Sequence, residues 1–324
     1  MTRDWERCSG SLRVEDRSAL HGVYQRALWD RLVPRIPARI TPNALTLVGH
    51  LLGVVAVALC IFAVEGRRWC YVASALVMFV SLTLDQLDGA HARRTGQCSR
   101  RGELLDHGLD GIRSTAVLMM AALLLRMGPW AMTIFAALGT LTFAVAFWEQ
   151  YRTGHLSSPT VGPIEGVTAL LIWQLMVAVL GEPEWLRFSD EQVTAGTVIV
   201  GVVVVALAVA VLPPMLRARK WGARLAELVP LFAVVLLELV FVAGGAAPLV
   251  VVTTMGLVCA HATSHFIVLR HERAEGPALP RTLYLVALPV GASFFAPLPA
   301  AVASLVLAIV GYGHTVRRGW RLLA

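Results

Sequence analysis

Ten predominantly apolar stretches, most of them near twenty residues long, divide this chain. A backbone crossing lipid must satisfy its own N–H and C=O groups, so stretches of this length are read as helices. The predicted spans are 43–64, 69–88, 106–125, 128–148, 162–181, 194–215, 223–243, 246–265, 281–296 and 298–315. The last two are short and share the Pro297–Pro299 break. Only 15% of the 324 residues are charged and 57% are hydrophobic, whereas a soluble domain carries about 25% charged residues. The expected fold class is all-α, a polytopic membrane protein of about ten transmembrane helices. Ahead of the first span, Leu12, Leu20, Tyr24 and Leu28 recur at helical spacing, with Arg13, Asp16, Arg17 and Arg26 between them. That pattern predicts an amphipathic helix over 11–30 lying in the interface plane. Residues 1–39 are too polar for the apolar region of a signal peptide.

The net charge of +7 points to topology rather than to nucleic acid, because the basic residues sit between apolar stretches. With the N-terminus in the cytoplasm, 23 of the 28 basic residues fall on the cytoplasmic side and 4 on the other, with Arg113 inside a span. An even number of spans with both termini inside follows. Lys220 is the only lysine and Asn43 the only asparagine, a depletion that suggests a GC-rich genome and a bacterial cytoplasmic membrane; in a eukaryote the equivalent would be the endoplasmic reticulum or Golgi membrane. The five cysteines form no CxxC pair and read as small buried hydrophobes.

The chemistry concentrates in residues 84–111, LDQLDGAHARRTGQCSRRGELLDHGLDG. Asp85 and Asp88 end the second predicted span, and Asp106 and Asp110 begin the third. Spacings of three and four place each pair on one helical face, and a short loop between antiparallel neighbours lets the two faces meet. A charge at mid-bilayer costs about 2.5–3.5 kcal/mol on insertion scales, and like charges repel in addition. Clustered hard oxygen donors are what Mg²⁺, Mn²⁺ or Ca²⁺ requires. Gly89 lets a ligand approach the helix backbone. Arg93, four residues on, shares its face and can grip a diphosphate bidentately. Thr95 and Ser99 add hydroxyls. His91 reads as a loop or surface residue.

Asp85-x-x-Asp88-Gly89-x-x-Ala92-Arg93, then eight residues, then Gly102-x-x-x-Asp106-x-x-x-Asp110 resembles the signature of the CDP-alcohol phosphotransferase superfamily. The stretches 92–96 and 102–108, residues 29–46, and Trp148-Glu149 with 162–166 are similar to its choline/ethanolamine phosphotransferase branch. This resemblance implies two Mg²⁺ ions, with Mn²⁺ as a substitute, held by Asp85, Asp88, Asp106 and Asp110. It implies CDP contacts from Asn43, Gly89, Ala92, Arg93, Ser99 and Gly102. His107 is the expected general base, with Asp110 as its competitor for that role. The implied substrates are a CDP-alcohol and diacylglycerol, and a homodimer in the bilayer is expected. Residues 1–41 would form an interfacial segment, 42–215 the catalytic helices, and 216–324 a lipid chamber and dimer interface.

Departures at Ala90, His91, Leu109 and Arg113 bear on the head group, ethanolamine or choline, more than on the reaction. Trp148, Glu149 and Tyr151 are candidates for facing a quaternary ammonium, and Glu149 and Glu165 for lining the head-group side. Glu227, Glu238 and His261 read as structural. One rival is a CDP-diacylglycerol-dependent enzyme with a soluble polyol acceptor, against which His107 and the extra spans argue. A cation-coupled transporter would need acids on several helices at mid-membrane and inverted repeats. The acids here cluster at one membrane face, and the sequence contains no such repeat.

Overall fold

The computed structural model describes residues 13–16, 18–158, 162–273 and 279–323. Among the described residues ten α-helices of nine residues or more follow in order: α1 Pro42–Val64, α2 Trp69–Thr95, α3 Arg100–Leu124, α4 Pro129–Thr153, α5 Pro163–Leu180, α6 Ala195–Ala210, α7 Leu212–Lys220, α8 Val229–Ala243, α9 Pro248–Glu272 and α10 Pro297–Leu322. Among the described residues eight segments are long and apolar enough to cross a membrane by length and composition: α1, α2, α4, α5, Ala195–Lys220, Leu225–Ala243, α9 and α10. The protein is an all-α polytopic membrane protein. Of the other two predicted spans, α3 is 25 residues long but carries the charged cluster in its first turns. Arg281–Phe294 is a 14-residue 3-10 helix with Pro289 inside it. Fourteen residues cover about 21 Å as an α-helix but about 28 Å at the 3-10 rise, so overwinding brings this short run close to the hydrocarbon thickness of about 30 Å.

The amphipathic helix expected over 11–30 is only partly present. Helical turns occupy His21–Leu32. Arg13–Asp16 instead form a strand, β1, paired in parallel with β2, His155–Ser158. Leu12 and Arg17 lie outside the described residues. Backbone pairing with a distant segment wins here over side-chain periodicity. A strand of four residues finds its hydrogen bonds in a neighbour, which no local pattern announces.

The chain groups into two compact units, Met1–Asp106 with Gly154–Pro183, and His107–Thr153 with Glu184–Ala324. In the first, Thr41 caps α1, its side chain accepting from Ala44 N, with Pro42 in the first turn. α1 and α2 then pack through small residues. Ser74 and Ser81 donate to the Ala56 and Gly49 carbonyls at 2.8 and 2.7 Å. A Cβ on Gly49 would meet Leu84 Cβ at 3.3 Å and Ser81 O at 3.4 Å, so glycine sets this helix separation. Glu165, at the start of α5, accepts from Ser18 Oγ at 2.6 Å, Leu20 N at 2.9 Å and Gly162 N at 2.8 Å. Tyr24 and Thr168 hydroxyls meet at 3.1 Å. The N-terminal segment is thereby tied to α5, and both Glu165 oxygens are occupied.

In the second unit α9 is central, with every residue from Thr254 to Leu269 buried. At the end of α4, Arg217 of α7 donates Nε and Nη2 to the two oxygens of Glu149, at 2.5 and 2.8 Å. Trp148 Nε1 and Arg152 Nε both donate to Glu227 Oε2, at 3.0 and 2.8 Å. Glu238 accepts from Ser304 at 3.0 Å, and His261 Nε2 meets Thr315 Oγ1 at 2.7 Å. Cys60, Cys70 and Cys259 are buried free thiols.

Glu149 is 2% exposed while Arg217 is 43% exposed. Removing the guanidinium strands a buried carboxylate. Breaking a fully buried pair costs about 3–5 kcal/mol, and the partial exposure of Arg217 lowers this to about 2–3 kcal/mol here. Arg217→Ala is expected to be destabilised by that amount in detergent denaturation, and Arg217→Ala/Glu149→Gln to recover most of it. Equal stability of Arg217→Ala and the wild type would remove the pair from the stability account.

Candidate metal and substrate site

The last turns of α2 are built to place carboxylates. Asp85 and Asp88 follow one another by three residues, and both are buried, at 9% and 3% exposure. Thr46 of α1 donates its hydroxyl to Asp88 Oδ2 at 2.5 Å, and Gly89 N lies 2.5 Å from Asp88 Oδ1. Gln86 Nε2 donates to Asp85 Oδ2 at 3.0 Å. Asp106, on α3, completes the group: ligand atoms of Asp85, Asp88 and Asp106 all lie within 4.8 Å of one another. Three hard oxygen donors at this separation fit a divalent cation of the Mg²⁺ or Mn²⁺ type, which prefers carboxylate oxygen.

The expected CDP contacts gather around the same helix ends. α2 stops at Gly96, whose φ of +69° is left-handed, a conformation glycine adopts without strain. The Gly96 and Gln97 amides close on the Ala92 carbonyl. Ser99 then opens α3 by accepting from Gly102 N at 2.9 Å. A Cβ on Gly102 would lie 3.1 Å from Ser99 Oγ and 3.2 Å from Asn43 Oδ1, so Asn43, Ser99 and Gly102 come together. A Cβ on Gly89 would lie 3.3 Å from Arg93 Nη1, which puts the guanidinium directly over Gly89. Arg93 also interacts with the charge of Asp88. His21, in the N-terminal turns, is pushed below the ordinary imidazole range by burial; Glu165 opposes the shift and Arg93 adds to it.

His91 corrects the sequence reading. It is fully buried, with Nε2 2.8 Å from the Ile40 carbonyl and Nδ1 3.2 Å from Arg94 Nη2. Arg94 also donates to the carbonyls of Pro34 and Ile36, and Gln97 to Ala38 at 3.0 Å. The end of α2 therefore clamps the segment before α1 by its carbonyls. Thr46 is the site residue that motif spacing missed. Its signal was a hydroxyl one turn into an apolar helix, which only the partner Asp88 makes meaningful.

His107 and Asp110 belong to the second unit. Asp110 follows Asp106 by one turn of α3. His107 Nδ1 lies 3.4 Å from Asp110 Oδ2, and Arg113 Nη2 donates to Asp110 Oδ1 at 2.8 Å. The His107 ring rests on Phe147, with centroids 5.3 Å apart. The acids considered for the head group are otherwise engaged. Glu149 is held by Arg217, Glu165 by the N-terminal segment, and the fully buried Trp148 by Glu227. Tyr151 stacks on Phe266 with centroids 6.0 Å apart, and the Arg152 guanidinium carbon lies over the Tyr151 ring, 4.7 Å from its centroid.

A hydrogen bond that orients a metal ligand is worth about 10–100-fold in metal affinity. Thr46→Val keeps the volume and removes the donor to Asp88. Mn²⁺ titration of the purified protein is expected to show a loss in that range with the fold intact; an unchanged affinity would mean that Asp88 needs no such support.

Residues 39–213 match the family model described as CDP-alcohol phosphatidyltransferase. The chain is 34% identical over 174 residues to cholinephosphotransferase 1 of Saccharomyces cerevisiae, covering 52% of this chain and 44% of that protein. It is 35% identical over 164 residues to cholinephosphotransferase 1 of Xenopus laevis, covering 48% and 41%. To choline/ethanolaminephosphotransferase 1 of Saccharomyces cerevisiae it is 32% identical over 176 residues, covering 52% and 45%. The matched stretch thus spans less than half of each of these relatives. The four aspartates of the signature lie inside the matched stretch, and the chain belongs to the CDP-alcohol phosphatidyltransferase family.

Proposed function

We propose that this protein is a metal-dependent CDP-alcohol phosphotransferase of the choline/ethanolamine branch. It would move phosphoethanolamine or phosphocholine from the CDP-alcohol to the hydroxyl of diacylglycerol and release CMP. The observation that carries the reading is the Asp85, Asp88 and Asp106 group, with ligand atoms within 4.8 Å, at helix ends that also bring Asn43, Ser99 and Gly102 together. The names of the relatives supply the substrate class.

Asp85, Asp88 and Asp106 would hold Mg²⁺, and the signature adds Asp110, one turn along α3. When bound, two such ions supply charge stabilisation for the entering and leaving oxygens of an in-line phosphoryl transfer. Arg93, seated over Gly89, grips the diphosphate. Asn43, Ser99 and Gly102 form the side on which the nucleotide lies, and Ala92 contributes its small side chain and the carbonyl that closes α2. His107 takes the proton of the acceptor hydroxyl. With its Nδ1–H directed to Asp110, Nε2 is left as the accepting atom. The acceptor oxygen bonds to the β-phosphorus, the bond from that phosphorus to the bridging oxygen breaks, and CMP carries that oxygen away. The same reading places both termini on the cytoplasmic face, from the arginine asymmetry, and a homodimer in the bilayer, from the family resemblance.

Purified protein in liposomes with diacylglycerol and Mg²⁺ is expected to release CMP from CDP-ethanolamine or CDP-choline, and to stop when the metal is chelated. CMP released only from CDP-diacylglycerol with a soluble polyol would overturn the donor assignment. In the same assay Asp88→Ala is expected to abolish release. His107→Ala is expected to lose about 10²–10⁴-fold in turnover, the usual contribution of a general base, with nucleotide affinity nearly intact. Near-full activity of that variant would move the base to Asp110.

A further inference from the structure

The helices beyond the matched stretch are not merely a lipid-facing addition, because α9 touches α3 backbone to backbone. A Cβ added at Gly111 would lie 2.9 Å from Ala260 Cα and 3.2 Å from Ala260 N. These are main-chain atoms that cannot rotate aside. One turn nearer the start of α3, a Cβ at Gly108 would lie 2.7 Å from Ser264 Oγ and 3.5 Å from the Tyr312 hydroxyl. One turn farther on, a Cβ at Gly256 would lie 2.3 Å from Thr115 Oγ1. Gly108, Gly111 and Thr115 therefore run against Ser264, Ala260 and Gly256 in antiparallel register, at a spacing that leaves no room for a methyl group.

A second observation marks the same place. Ser264 is 0% exposed. Tyr312 of α10 interacts with Ser264 and with the charge of Asp110. The Ser264 hydroxyl lies 2.7 Å from where a Cβ on Gly108, the residue after His107, would stand. Ala260, Ser264 and Tyr312 all lie outside residues 39–213.

We propose that α9, through Ala260 and Ser264, is the positioning element that fixes where α3 presents His107 and Asp110. The proposal rests on the functional reading above, because it gives those two residues work that depends on their position. The logic is geometric. α3 can rotate or slide only if it leaves the Ala260 backbone, and the glycine at 111 is what allows the approach. His107 and Asp110 flank Gly108 within a single turn. A shift of about 1 Å in catalytic groups is enough to cost about 10²-fold in rate.

The test is a methyl exchange read in two ways, by Mn²⁺ titration of the detergent-purified protein and by CMP release in liposomes. Gly111→Ala is expected to weaken Mn²⁺ binding by about tenfold and to slow CMP release by about 10²-fold, in a protein that remains monodisperse. Gly111→Ala/Ala260→Gly removes the Ala260 methyl but not the main-chain atoms that the new methyl meets, so it is expected to recover no more than about threefold of either loss. Ser264→Val, which puts carbon where the Gly108 contact has no space, is expected to behave like Gly111→Ala and serves if that variant fails to fold. Wild-type values for the folded Gly111→Ala and Ser264→Val proteins would overturn the proposal, as would a folded double variant restored to wild-type values. Wild-type protein that shows this Mn²⁺ pattern but releases no CMP from either CDP-alcohol would sink the functional reading and leave the positioning contact standing. Wild-type protein that binds no Mn²⁺ would sink both.

Discussion

Three carboxylates whose oxygens lie within 4.8 Å of one another cannot all stay ionised at a buried helix end without help. Two unit charges at that distance repel by about 3.5 kcal/mol at an effective dielectric of 20, and three of them form three such pairs. The protein supplies a hydroxyl from Thr46, an amide from Gln86, the backbone N–H of Gly89 and the neighbouring charge of Arg93. The first three are dipoles rather than charges, and one arginine offsets one carboxylate. A divalent cation held by these carboxylates would offset their repulsion directly. The rest of the first unit can be understood as holding this unfavourable group in place. Gly49 brings α1 close enough for Thr46 to reach Asp88, and the left-handed Gly96 ends α2 just past the last carboxylate.

What could be read from the sequence was whatever a single helix encodes. Spacings of three and four put Asp85 with Asp88 and Asp106 with Asp110, and the structure brings the first three together. The second span was placed only to residue 88, and the helix runs on to Thr95 before Gly96 stops it. What could not be read was pairing across the chain. Glu149 and Arg217 are 68 residues apart, and Ser18 and Glu165 are 147 apart. His91 looked like a loop residue because its neighbours are arginines and a glycine lies nearby, yet its ring is buried against the Ile40 carbonyl. The strand β1 sits where side-chain periodicity predicted helix, since its partner β2 is more than a hundred residues away. Hydropathy also counted Arg281–Phe294 as an ordinary span, and only the backbone shows it drawn out as a 3-10 helix.

The same long-range pairings change how the head group must be considered. An acid attracts a quaternary ammonium through uncompensated negative charge. Glu149 has both oxygens on the Arg217 guanidinium, and the pair presents little net field. Glu165 has its oxygens on two backbone amides and a hydroxyl. Its charge is real, but it is directed into the junction between the N-terminal segment and α5. Trp148, the aromatic best suited to cover a cation, is fully buried, with its indole N–H given to Glu227. Each of these residues has an architectural partner within its own unit. Their presence therefore says little about whether ethanolamine or choline is the alcohol carried. Discrimination between two amines that differ only in methyl groups has to come from side chains that still have a free face toward the substrate, and these acids and this indole have spent theirs on the protein itself.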